Sequence, residues 1–373
     1  MDASRGTLPE VFVCSNGLQV STPEDWRRFR RPEIVELYRE YVYGREPVGR
    51  PDSLRFQVVM EEVVMQGTAV HKQIDIEYTG VGGDGRFRVH IYIPLTKSKV
   101  PAFIYAAIKG QSVSEVKLEE CSSYWPVEDI LSRGYAAVSY SVEDLDPDFF
   151  DEGYRNGVHG IFDSRDRLRS PDAWGAMSAW AWGASRVMDY LESDSLIDSE
   201  RVAIVGYSRS GKACLWAGAL DERFALVVSN NSGCSGAAIS RGKAGERLLN
   251  INRGNPHWFN DNYKKFNERE DELPIDQHLL LSLIAPRLLY VASASEDNWA
   301  DPESEFLGLL LAQPIYSLHG FSGLDADQMP PVNSPVYGER VGYHLREGKH
   351  DLTRYDWKCF MDFADRKLKH AYS

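Results

Sequence analysis

A serine, a carboxylate and a histidine occur along this chain in the order that a strand-end hydrolase needs. The serine is Ser208, in the stretch Arg201 to Gly211, RVAIVGYSRSG. The apolar run Val202 to Val205 ends in Gly206-Tyr207-Ser208, and Arg209-Ser210-Gly211-Lys212 then opens a helical pattern. A buried strand, a sharp turn bearing a serine and a helix leaving at once make a nucleophile elbow, whose crowded turn needs small residues. Gly206 lets neighbouring backbone come close. Ser210 is small where the common G-x-S-x-G pattern has glycine, so the motif here is G-x-S-x-x-G. The base candidate is His350, in Gly348-Lys349-His350-Asp351 just before the final helical pattern. The acid candidates are Glu296, Asp297 and Asp301, which follow the apolar run Leu288 to Val291. A carboxylate there would hold the imidazole tautomer and stabilise the imidazolium. Counting residues from the strand slightly favours Glu296, and spacing leaves a choice between neighbours.

The elbow brings further groups with it. The backbone N–H of Arg209, next after the nucleophile, is an expected oxyanion donor. The Arg209 side chain either adds charge-assisted stabilisation or is a helix-start arginine paired to an acid. A second backbone donor is expected around Lys109-Gly110-Gln111. Lys212 lies one turn along the helix, facing the pocket or solvent. His257, in Pro256-His257-Trp258-Phe259, is a groove-lining candidate. His344 reads as a strand residue within Val341 to Leu345, and His319 as a packed strand end. His71 and His90 read as structural or surface residues, and His159, His278 and His370 have no context that favours a role.

These groups need a scaffold that gathers strand ends. A capped helix is expected from Ser21-Thr22-Pro23-Glu24 to Gly44, with Trp26, Phe29, Ile34, Leu37, Tyr38 and Tyr41 at helical spacing. Antiparallel strands follow at Arg55 to Val64, Ile74 to Thr79 and Phe87 to Ile93, with a hairpin signal in Gly80 to Gly85. From Val100 the pattern alternates. Strands are expected at Val100 to Ile108, Tyr135 to Val142, Arg201 to Ser208, Leu226 to Ser229, Arg287 to Ser293 and Pro314 to Leu318. Helices are expected at Val127 to Arg133, Trp174 to Leu191, Arg209 to Leu220, Asp301 to Leu311 and Tyr355 to Leu368. The long polar stretch Glu143 to Ser170 reads as functional or inserted. Alternation of this kind makes a mostly parallel sheet covered on both faces, with reactive groups at the carboxyl ends of its strands. The expected class is therefore α/β.

Composition narrows the function. The net charge of −13 argues against nucleic acid and anionic membrane surfaces, which need clustered Lys and Arg. Arg27-Arg28-Phe29-Arg30-Arg31 is offset by Glu24, Asp25, Glu33 and Glu36 and reads as a solvated helix face. The cysteines at 14, 121, 214, 234 and 359 are scattered, which disfavours a zinc site or a disulfide framework and leaves room for one disulfide. No apolar run reaches the about 18 residues of a membrane span, and Met1 opens no signal peptide. The compartment stays open between cytoplasmic and a mature exported form.

The run GYSRSGKACLWAGALDERFALVVSNNSGCSG resembles the glucuronoyl esterases of carbohydrate esterase family 15, whose elbow reads G-C-S-R-x-G-K; Tyr207 stands here for Cys. The similarity continues through SASEDNWADPESEF, REGKHDLTRYDW and the opening TPEDWRRFRRPEIVELYREYVYG. The resemblance implies a single three-layer α/β-hydrolase domain, with an N-terminal helix and antiparallel strands over about 1–98. The core would follow over about 99–373, with insertions near 143–170 and 234–275. It implies no metal or organic cofactor, a monomer, a secreted or periplasmic setting, and a hemicellulose or uronic-acid ester substrate. The ester would join 4-O-methyl-glucuronic acid on xylan to a lignin alcohol. Ser208 would be nucleophile, His350 base and Arg209 an oxyanion-hole residue, while Lys212 and Trp299 would contact the sugar. Many members place the acid as glutamate after the strand following the elbow, where this chain has Asn231. Some bacterial members place it two residues before the sugar-binding tryptophan, which maps to Asp297 and displaces Glu296. The family's Gln and Glu that bind sugar hydroxyls are not evident in NRGNPHWFNDN, Asn252 to Asn262. The competing expectations are an acetylxylan or feruloyl esterase, a low-activity carbohydrate-binding relative and, more weakly, a serine peptidase.

Overall fold

The computed structural model describes residues 7–108, 111, 123–151, 153–164 and 168–368. Its frame is a ten-stranded sheet: β1 (Arg55–Val64), β2 (Ala69–Gly80), β3 (Gly83–Pro94), β4 (Val100–Ala107), β5 (Ala136–Ser141), β6 (Ile197–Tyr207), β7 (Leu226–Asn230), β8 (Leu288–Ala294), β9 (Val336–Tyr337) and β10 (Val341–Arg346). The strand order is β1-β2-β3-β5-β4-β6-β7-β8-β10-β9. Strands β5, β4, β6, β7, β8 and β10 run parallel, while β1 to β3 and β9 join antiparallel at the two edges. The protein is thus of the α/β class. Strand β6 is interior on both edges and both faces. This is why Val202 to Val205 is a continuous apolar run, every residue of it buried, rather than an alternating one.

The helix Arg209–Leu220 leaves β6 and packs on Ala176–Leu191, where Trp216 Nε1 donates to Ser178 Oγ at 3.1 Å. Trp216 also stacks on Tyr43, with centroids 4.5 Å apart and planes 8° from parallel. Tyr43 ends the N-terminal helical segment, so that segment braces the elbow helix from behind. Each fully buried ring of this size removes about 200 Å² from water, or about 5 kcal/mol of gross transfer free energy. The segment runs from Pro23 to Tyr43 with π-helical stretches at Trp26–Arg30 and Arg39–Tyr43. It starts, as its sequence predicts, on a cap residue followed by proline, Thr22 and Pro23, and Asp25 completes a capping box with Thr22. It ends on Gly44 at φ 86°, where a Cβ would lie 2.3 Å from Ala173 O.

Three sequence expectations are corrected. Pro314 to Leu318 is not a strand: one helix, Pro302–Leu318, runs through Pro314. The apolar residues Phe306, Leu309, Ala312, Ile315 and Tyr316 share its buried face, and a short apolar run cannot separate strand from buried helix by period. His319 is therefore a helix C-cap and not a strand end. Strand β2 begins at Ala69, five residues before the expected Ile74. The polar stretch 143–170 holds a short helix, Gly157–Phe162, and is pinned from inside. His159 Nδ1 bonds Asp146 Oδ1 at 2.8 Å and Nε2 bonds Trp174 O at 3.0 Å, while Trp180 Nε1 donates to Asp146 O at 2.9 Å. The four described cysteines are unpaired, while Cys121 and His370 lie outside the described residues.

Candidate active site

Strand β6 delivers Ser208 at φ 56° and ψ −124°, a backbone region L-residues rarely occupy outside strained turns. The crowding explains its neighbours. A Cβ on Gly206 would lie 2.3 Å from Ser210 O and 2.7 Å from Cys214 Sγ. Ser210 is fully buried, and its Oγ bonds both Tyr207 N and Tyr207 O at 3.0 Å. It therefore fills the place of the usual glycine by closing the turn on itself.

Ser208, His350 and Asp297 meet at the carboxyl ends of β6, β10 and β8. His350 Nε2 is 2.9 Å from Ser208 Oγ, and His350 Nδ1 is 2.5 Å from Asp297 Oδ2. Asp297 is 5 % exposed and also accepts hydrogen bonds from Asn231 Nδ2 at 3.0 Å and Ala300 N at 3.3 Å. Burial alone would raise its carboxyl; the bonds from His350 and Asn231 outweigh that and hold it below the usual carboxylate range. Glu296 is exposed, with its N–H on Gly348 O. Asp301 caps the helix Pro302–Leu318 and takes Ala244 N and Ser304 Oγ. Of the three acids between which spacing left a choice, Asp297 is the one whose carboxylate meets the His350 ring. Asn231, at φ 48°, where the sequence resemblance set the alternative acid, donates to Asp297.

Arg209 is paired to an acid, Asp148, whose other oxygen accepts Trp258 Nε1 at 2.6 Å and His257 Nε2 at 3.1 Å. Its guanidinium carbon lies 5.7 Å from the centre of the Trp258 ring. Burial pulls the Asp148 carboxyl up, but His257, Trp258 and Arg209 together bring it below its usual value. Asp148 is what the long polar stretch supplies, and no sequence signal singled it out. His257 serves this brace and not an open groove.

Lys212 does not point to solvent. It is 4 % exposed, and its Nζ donates to Ser232 O at 2.5 Å and Cys234 O at 2.7 Å, leaving one donor. Glu246, which no motif marked, has its carboxylate 3.9 Å from that Nζ and its N–H on Trp299 O at 2.9 Å. Trp299 itself is 56 % exposed. Gly245 lets the Glu246 loop lie on this strand end: at φ 65°, its Cβ would be 2.4 Å from Asn298 O. Of the expected second oxyanion donors, Lys109 and Gly110 lie outside the described residues, and the Gln111 N–H is engaged by Ile108 O at 3.0 Å. Among the described residues no group of three or more His, Cys, Asp and Glu is arranged to hold a metal ion, and no helix is long and apolar enough to cross a membrane.

A serine on a left-handed turn at the centre of a mostly parallel sheet, bonded to a histidine that follows a strand three places along, defines the α/β-hydrolase class. A family model described as "Glucuronyl esterase, fungi" matches residues 76–320. The chain is 37% identical to Carbohydrate esterase MZ0003 of an unknown prokaryotic organism, over 97% of this chain and 90% of that one. It is 26% identical to the 4-O-methyl-glucuronoyl methylesterase of Schizophyllum commune, over 95% of this chain and 88% of that one. The solved glucuronoyl esterase from Solibacter usitatus superposes with a TM-score of 0.89 at 39% identity, covering 96% of this chain and 97% of that one. The chain belongs to the glucuronoyl esterases, carbohydrate esterase family 15.

Proposed function

We propose that this esterase cleaves the ester between the carboxyl of 4-O-methyl-glucuronic acid on xylan and a lignin alcohol. In this reading Ser208 is the nucleophile, His350 the base and Asp297 the acid. The observation that carries it is the Ser208–His350–Asp297 chain of 2.9 and 2.5 Å contacts at three strand ends. His350 Nε2 takes the Ser208 proton as Oγ attacks the ester carbonyl. The oxyanion forms beside the Arg209 N–H and guanidinium, which Asp148 and Trp258 hold in place before the reaction begins. His350 returns the proton to the departing alcohol. It then activates water, which releases the uronate and regenerates Ser208.

The sugar sits on the floor made by Trp299, Lys212 and Glu246. An exposed ring stacks on a sugar face, the remaining Lys212 donor meets a sugar oxygen, and the Glu246 carboxylate accepts hydroxyls. A wall polymer as substrate also implies that the enzyme works outside the cell that makes it. The test is hydrolysis of methyl 4-O-methyl-glucuronate, acetylated xylan and a feruloyl ester side by side. Ser208→Ala is expected to lower turnover of the uronate ester by on the order of 10⁴-fold or more. A faster rate on acetylated xylan or the feruloyl ester would replace the uronate assignment, and turnover surviving Ser208→Ala would exclude the mechanism.

A further inference from the structure

His350 stands on a loop with no regular structure, between the end of β10 and the helix Arg354–Lys367. Its side chain is 40% exposed, so little above it fixes the ring. What fixes it lies beneath. Arg346, the last residue of β10, is buried, and the loop wraps round its guanidinium. Nη1 donates to Glu347 O at 2.7 Å, and Nη2 donates to Lys349 O at 2.7 Å and Asp351 O at 3.2 Å. The last two carbonyls belong to the residues on either side of His350. Gly348 makes the wrap feasible: its φ is 105°, and a Cβ there would lie 3.3 Å from Arg346 Nη1.

The clamp is anchored at both ends. Arg346 Nε lies 3.1 Å from Asp356 Oδ2, a fully buried carboxylate that also takes His344 Nε2 at 2.8 Å and Thr353 N and Oγ1 at 2.7 Å. In the other direction the loop is joined to the one carrying Asp297. Ser295 N donates to Arg346 O at 2.8 Å and Glu296 N to Gly348 O at 2.9 Å. One side chain thus connects a buried anion to the backbone that presents both the histidine and its acid.

We propose that Arg346 is a positioning residue: its guanidinium sets the placement of His350 against Ser208 and Asp297. The inference rests on the reading of His350 as the base. A rigid fork of five N–H donors can bridge carbonyls at alternate loop positions and still face a carboxylate, whereas a lysine ammonium is a point charge on a flexible stem. The chemistry is sensitive to such placement, since a misplacement of about 1 Å lowers rate by on the order of 10²-fold.

The experiment compares steady-state kinetics on methyl 4-O-methyl-glucuronate for the parent, Arg346→Gln, Arg346→Lys, Asp297→Asn and Asp297→Asn/Arg346→Lys, with circular dichroism and melting temperature for each. Arg346→Lys keeps a positive charge beside Asp356, so it guards against simple unfolding of Arg346→Gln. Both single variants at Arg346 should keep the parent spectrum and lose kcat by on the order of 10²-fold, with KM within about threefold. Lysine should not rescue. On the Asp297→Asn background Arg346→Lys should lose less than about tenfold more, because the same alignment is already gone. A folded Arg346→Lys with kcat within about threefold of the parent overturns the proposal. So does a full 10²-fold loss repeated on Asp297→Asn, or failure of both Arg346 variants to fold, which would make the residue purely structural. Ser208→Ala separates the two levels. If it stays active the reading of the site fails. If it is inactive while Arg346→Lys is unaffected, only the Arg346 inference fails.

Discussion

Asp297 and Glu305 are buried carboxyls eight positions apart in the sequence, near opposite sides of the turn Asn231 to Gly233, and their electrostatics have opposite sign. Asp297 meets His350 and the amide of Asn231, and is held below the usual range although burial pulls it up. Glu305 is fully buried, and its two short hydrogen bonds come from neutral donors, Ser293 Oγ at 2.6 Å and Gly233 N at 2.8 Å, with Ser232 Oγ further off at 3.5 Å. Burial pushes it up to about 7, those two hydrogen bonds pull against the rise, and the charge of Asp297 adds to it. Depth alone does not decide whether a carboxyl carries charge; the partner does. At Asp297 the chain keeps an anion against the His350 ring. At Glu305 it holds a bridge between β8 and the turn after β7 that favours the neutral form.

The contrast can be broken most sharply at Asp297. Asp297→Asn should lower kcat by on the order of 10³–10⁴-fold while the melting temperature stays close to the parent, because an amide cannot hold the imidazole tautomer or stabilise its cation. A loss below about tenfold would assign the acid elsewhere. Asn231→Asp should come next. It sets a second carboxylate against Asp297 Oδ2 and favours the protonated imidazole, so kcat/KM should fall by about tenfold at neutral pH and recover as pH rises. An unchanged pH profile would remove Asn231 from the account.

The smaller effects are on stability and run in opposite directions. The folded Glu305 carboxyl sits at about 7, above the about 4.3 of an unfolded glutamate, so folding takes up a proton between these values. Parent stability should therefore fall as pH rises through this window. Glu305→Gln removes that loss, and its melting temperature should gain on the parent by a few degrees between pH 5 and pH 8. A constant difference would mean that Glu305 takes up no proton on folding. Asp297 has the reverse sign. Its folded value lies below that of an unfolded aspartate, so its contribution is present above about pH 4 and is lost as pH falls further. The melting temperature of Asp297→Asn should accordingly fall by about a degree less than that of the parent between pH 5 and pH 3. Parallel curves would show that the His350 contact adds nothing to the fold.

The candidate residues that adjoin a clearly patterned strand or helix were legible in the sequence. Ser208 announces itself by an apolar strand, a glycine and a helix start, and His350 by its place before the final helix. The choice among Glu296, Asp297 and Asp301 was not legible from spacing, because one loop turns its neighbours to solvent, to the histidine and to a helix N-terminus in six residues. Asp148 and Glu246 were missed for a related reason. They lie on long connections whose path is set by tertiary contacts, such as His159 on Asp146 and Gly245 against Asn298 and Trp299, and such segments have no period to read. The alternative pairing of Arg209 to an acid was foreseen, but its partner lies 61 residues away. The strand expected at Pro314 to Leu318 failed because a buried helix and a buried strand share the same apolar composition over five residues.

The contact between Ser208 and His350 spans 142 positions of chain, and the strands that carry them join the sheet with β7 and β8 between. Loop closure over such distances is slow compared with forming the helices, which needs only near neighbours. Catalytic competence is therefore expected late in the folding of this chain. In a refolding experiment that follows circular dichroism and turnover together, helical signal is expected to return before activity, which would report the docking of β10.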